Sequence, residues 1–154
     1  MSPMKESNET IYKMIGACME VHRLVGPGFP IDVYKKALAI ELKEKGLEFE
    51  ADKEVELSFK ETLVGTYPVD FFVQKSVVLI VKSQAELTDL EIQQVLRFMG
   101  LLDCQIGLLM NFGSVKIQYK RVLPARQNKE SRNEGYRPLG YRMSGKTREG
   151  NPIS

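Results

Sequence analysis

The chain has 154 residues, of which 43% are apolar and 27% charged, with a formal net charge of +2. That length suits one domain around one core, and the balance excludes a chain too polar to fold. No apolar run approaches the ~20 residues of a membrane span, and Met1–Glu6 lacks the apolar stretch of a secretory signal, so a cytoplasmic protein with no membrane partner is expected.

The charge is unevenly placed. Residues 124–154 hold seven Lys or Arg against three acids, a net +4 that leaves −2 for residues 1–123. Charge alone therefore gives residues 1–123 no broad nucleic-acid footprint. Cys18 and Cys104 lack CxxC or His-rich spacing and read as reduced thiols in or near the core.

From about Glu9 to Val25, the residues Ile11, Met14, Ile15, Cys18, Met19, His22 and Val25 recur at three- and four-residue steps. This is the stripe of an amphipathic helix, capped by Ser7 or Asn8 and closed by Gly26. His22, on that stripe, reads as a core histidine. Gly26-Pro27-Gly28-Phe29-Pro30 is a tight connection. A second helix spans about Asp32 to Lys45, with Val33, Tyr34, Ala37, Leu38 and Leu42 as its apolar face and Gly46 as its stop. Tyr34 is expected between helix and sheet with its hydroxyl bonded, and Lys35 and Lys36 on a solvated face.

The period then changes to two. Val55, Leu57 and Phe59 alternate with Glu56, Ser58 and Lys60, a strand with one wet face. Leu63–Val73 and Val77–Lys82 follow, joined as a hairpin through Gln74-Lys75-Ser76. Val77–Val81 is apolar on both faces and so belongs at the centre of a sheet. A helix from about Thr88 to Leu102, capped by Thr88 or Asp89, leads to a buried strand over Ile106–Phe112. Val115–Val122 alternates again and is expected at an edge. The order ααβββαβ with a final β predicts an α/β domain: a helical hairpin and a mixed sheet of four to five strands with one parallel crossover. Beyond Pro124 the periodicity stops. Residues 124–154 read as a basic flexible tail, solvated or serving as an electrostatic arm for RNA, DNA or an acidic partner, with Tyr136 and Tyr141 able to stack on bases.

Several segments resemble one family in order and spacing. Gly26-Pro27-Gly28 followed by Val33-Tyr34 and Ala37-Leu38 is similar to the segment that names the GxxExxY proteins. Tyr67-Pro68-Val69-Asp70-Phe71 resembles the strand bearing that family's Asp, and Val78-Leu79-Ile80-Val81-Lys82 the strand bearing its E-x-K. Gln94 and Phe98 resemble the Q-x-x-x-Y of RecB-like nucleases, and Gly107–Gly113 a later family strand. The resemblance covers about residues 8–123 and implies a PD-(D/E)XK nuclease-like domain over 1–123 with a restriction-endonuclease-like core.

In active members of that superfamily an Asp and a Glu on adjacent strands bind Mg²⁺, a Lys positions or activates water, and a helix Glu often helps. Mg²⁺ demands hard oxygen ligands for this work. The resemblance carries the catalytic set onto Asp70, Lys82 and Gln94, with Asp70 as the metal ligand. It places Ile80 where the strand Glu belongs, Ile31 where the helix Glu belongs, and Phe98 where the Tyr belongs. A three-residue turn sets Asp70 opposite Ile80, with Lys82 on the same face, so an Asp70–Lys82 ion pair is expected in place of a metal. Helpers for a relocated site are Asp32 and Glu86, with Asp89 and Glu91 nearby. The expected function is a nuclease-like domain with a vestigial site that binds nucleic acid or protein and needs no cofactor. The alternatives are an Mg²⁺-dependent nuclease with relocated carboxylates and a structural or oligomerising module.

Overall fold

A computed structural model describes residues 3–124; the basic segment beyond them lies outside the described residues. The chain forms α1 (Pro3–Val25), α2 (Ile31–Glu44), β1 (Phe49–Phe59), β2 (Thr62–Val73), β3 (Val77–Lys82), α3 (Asp89–Leu102), β4 (Ile106–Asn111) and β5 (Gln118–Val122). The sheet has five strands in the order β1-β2-β3-β4-β5. Only β3 and β4 run parallel, joined through α3, and every other neighbouring pair is antiparallel. The mixed α/β architecture and the central position of β3 are as the apolar runs imply.

Alternation along β3 builds a core on each face. Val77, Leu79 and Val81 point into one cluster with Ile11, Met14 and Cys18 of α1 and Tyr34, Leu38 and Leu42 of α2. Val78 and Ile80 point into the other, with Val95, Phe98 and Met99 of α3. Gly107 lets α3 approach: a Cβ there would stand 2.6 Å from Val95 Cγ1. Both cysteines are buried and free. Burial pushes the Cys18 thiol up, and burial together with Asp103 pushes Cys104 up to about 11.

Several boundaries differ from the sequence reading. α1 begins at Pro3, so Ser7 and Asn8 lie inside it and not at its start. Met19 is 45% exposed and leaves the buried stripe. β5 is shorter than expected because Val115 is exposed in the preceding loop. β1 begins at Phe49, six residues early, through the exposed stretch Glu50-Ala51-Asp52. The β2–β3 ladder covers only Phe71–Val73 against Val77–Leu79. Before Phe71, β2 therefore runs on with β1 as a two-stranded arm. Among the described residues no helix is long and apolar enough to cross a membrane.

The connection between α1 and α2 is built around Tyr34. Its hydroxyl donates to the Gly26 carbonyl and accepts from the Phe29 N–H at 3.1 Å. Its ring stacks on Phe112 at 4.7 Å and 8°. The motif's Tyr is thus a fully buried brace. His22 is half-buried and donates through Nε2 to the Ser114 carbonyl at 3.0 Å, given the tautomer that protonates this nitrogen.

Candidate functional site

Asp70 sits where β2 leaves β3. With the ladder ended at Phe71, its side chain supplies the missing acceptor: Oδ2 takes the Val81 N–H at 2.9 Å. Oδ1 faces the Lys35 ammonium of α2 at 3.2 Å, and the same ammonium donates to Asp52 Oδ1 at 2.8 Å. The β1–β2 register pairs Ala51 with Phe71 and Lys53 with Val69, which sets Asp52 across from Asp70. Two acids opposite each other repel, and the Lys35 ammonium between them offsets part of that repulsion. Burial alone would lower the Lys35 pKa, but hydrogen bonds and charge from Asp52 and Asp70 outweigh it and raise the group.

Lys35 is therefore not on a solvated face, and the partner of Asp70 is Lys35 rather than Lys82. Sequence reasoning missed both Lys35 and Asp52. A usable signal existed: Lys35 lies one helical turn after Ile31, so it shares the face on which a helix carboxylate would project. Asp52 gave no such signal, because its backbone (φ 52°) breaks the strand pattern that would have placed it.

Lys82, the last residue of β3, bonds to Gln94 Oε1 of α3 at 3.3 Å. The structure thus bonds two of the expected residues to each other, while the third, Asp70, pairs with Lys35. Ile80 is 3% exposed within the α3-side cluster and presents hydrocarbon only. Phe98 stacks on Tyr67 of the arm at 5.4 Å. Between arm and helix lies a groove of about 640 Å³, which Lys82, Gln94 and Arg97 line beside Phe59, Val64 and Leu90.

The loop from β3 to α3 is tied down from below and above. Asn111, fully buried, accepts from the Gln84 and Gly113 N–H groups and donates to the Gln84 carbonyl and to Gln118 Oε1. Gln84 Nε2 donates to Glu91 at 2.8 Å, and Thr88 and Glu91 form a capping box at the start of α3. These hydrogen bonds, Gln84's first and then those of Thr88, hold the Glu91 carboxyl down at about 2.

A hard divalent ion would not fit this donor set. Both Asp70 oxygens are engaged, one by an ammonium and one by an amide, and the position across from it is aliphatic. Asp32 and Glu86 are both exposed, in the first turn of α2 and in the loop before α3. Among the described residues no three His, Cys, Asp or Glu side chains gather as a metal cage requires.

Comparison with protein families finds that the family model for the PD-(D/E)XK nuclease superfamily matches residues 8–122. No curated protein matches the chain. Among solved structures, the crystal structure of SSO0001 aligns with 60% of this chain at 17% identity and a TM-score of 0.49. The aligned region spans 49% of that chain, about half its length.

Proposed function

The chain belongs to the PD-(D/E)XK nuclease superfamily, and from that premise we propose that it is a nuclease-fold domain that binds a nucleic-acid strand without cutting it. One observation carries the non-cleaving half. The carboxylate that would hold Mg²⁺ is paired with the Lys35 ammonium and bonded to the Val81 N–H, and Ile80 supplies no second oxygen. Metal-assisted hydrolysis needs the ion both to make the nucleophile and to neutralise developing charge.

The binding half rests on the groove. Lys82 and Arg97 offer charge to phosphate, Gln94 offers an amide, and Tyr67, partly exposed beside them, offers an aromatic ring to a base. Two buried, free cysteines fit a reducing compartment, so we place this binding in the cytoplasm.

Anisotropy titrations with labelled single-stranded DNA and RNA, with and without Mg²⁺ or Mn²⁺, test both halves. Salt-sensitive binding that weakens in Arg97→Ala and Lys82→Ala, with the strand left intact, is expected. Strand cutting that disappears in Asp70→Ala would overturn the reading. A second reading, a peptide ligand, is favoured by the apolar rim of Leu57, Phe59, Val64 and Leu90. Groove binding that ignores salt would select it.

A further inference from the structure

We infer that the groove between the β1–β2 arm and α3 seats a nucleic-acid strand bases-first, so that it takes unpaired nucleotides and leaves duplex aside. This deepens the strand-binding reading of the same groove and rests on it.

Charge fixes the class of occupant. Lys82 and Arg97 line the groove, and among the described residues neither forms an ion pair. The one acid in the lining, Glu91, is bonded to Gln84 and Thr88. Two uncompensated cations call for an anionic occupant. The segment beyond Pro124 is itself net positive.

The rim fixes how that occupant lies. Phe59 is 63% exposed, Val64 64%, Tyr67 42% and Leu90 74%, and all four line the groove beside the two cations. A row of phosphates has no use for such a surface, whereas an unpaired base buries its faces against it. Tyr67 is held by its stack on the buried Phe98, so its ring is in place before a base arrives. The volume of about 640 Å³ is that of a small-molecule site, with room for roughly one or two nucleotides.

A duplex meets the same groove poorly. Its bases are paired and stacked inside, so only phosphates would reach Lys82 and Arg97, and the rim would stay in water. Residues 1–123 carry a net −2, which opposes a second row of phosphates. An unpaired strand turns its bases to the rim and its backbone to the cations.

The test is NMR of the methyl groups of the full chain, titrated with single-stranded oligodeoxyadenylate, with an abasic strand of equal length and with a blunt duplex of equal length. Oligodeoxyadenylate is expected to shift the Leu90 and Val64 methyl signals upfield through the ring currents of its bases. The abasic strand and the duplex are expected to leave them in place. By anisotropy, Phe59→Ala should weaken oligodeoxyadenylate about fivefold or more and leave the duplex unchanged. Lys82→Ala with Arg97→Ala should instead lower the slope of log affinity against log salt by about 1.4, two contacts at about 0.7 each. Equal methyl shifts with the abasic strand or the duplex would overturn the proposal, as would a folded Phe59→Ala chain that binds the strand unchanged. Self-association that Phe59→Ala breaks and the strand fails to displace would also overturn it, by giving the rim to a second copy. The methyl signals need no variant, so the proposal stays open to refutation even where a variant fails to fold. Weakening in Arg97→Ala with unmoved methyl signals sinks the seating of bases alone. Strand cutting, or affinity indifferent to Arg97→Ala, sinks the strand-binding reading itself.

Discussion

At the scale of single residues, Asn111 and Lys35 do the work of joining elements that the backbone leaves apart. Asn111 is fully buried, and its amide serves four groups on the β3–α3 loop, the turn after β4, and β5. Asn111→Ala strands those partners, and unmet buried hydrogen bonds cost roughly 1–3 kcal/mol each before relaxation and water entry. A loss of about 2–4 kcal/mol is expected, seen as a lower urea midpoint with an unchanged slope. Lys35 has a different signature. Its pKa is raised above the ordinary 10.5 by its two acids, so its stabilisation is complete below that value and lost as pH climbs through the raised one. The stability gap between the unmodified chain and Lys35→Met should stay constant from neutral pH to about 10 and shrink above it. A gap that is flat to the alkaline limit would show that the ammonium contributes packing and not charge.

At the scale of elements, α3 is held at its start by chemistry that also responds to pH. Thr88 accepts from the Leu90 N–H at 3.3 Å and donates to Glu91 at 2.7 Å. Thr88→Ala should cost about 1 kcal/mol, read as a lower thermal midpoint. Glu91 is depressed from 4.5 to about 2, so its contribution is present above about 4.5 and fades as pH falls toward 2. Glu91→Gln should therefore flatten part of the acid limb of the stability curve. That cap was legible in the sequence, as were β3 and β4, because runs such as Val77–Val81 have few structures open to them other than a buried strand. The first half of β1 was not. Ala51 is exposed, a charged Lys53 stands between it and Val55, Asp52 adopts positive φ, and the apolar half of the alternation is lost. The candidate site suffered in consequence. Asp70, Lys82 and Gln94 fell on the expected elements, but the ion pair joined Asp70 to a helix lysine and to a strand segment whose presence the pattern hid. Register fixes what lies opposite a residue, and tertiary packing fixes which charge reaches it.

At the scale of the whole molecule, both faces of the sheet are closed by helices within residues 3–124, and the superfamily match ends at residue 122. The sequence beyond this contributes charge: removing it takes the net charge from +2 to −2. A chain ending at Pro124 should therefore keep the thermal transition of the full chain while changing how it meets a polyanion. Each phosphate neutralised on a single strand adds about 0.7 to the magnitude of the slope of log affinity against log salt. Loss of the seven Lys and Arg of that segment should make that slope shallower by at most about 5, with the largest drop in affinity at low salt. If the groove beside α3 is the binding site, what remains should still weaken in Arg97→Ala. Should the shortened chain fold normally yet bind no strand at any salt, affinity belongs to the basic segment and the groove has no part in it.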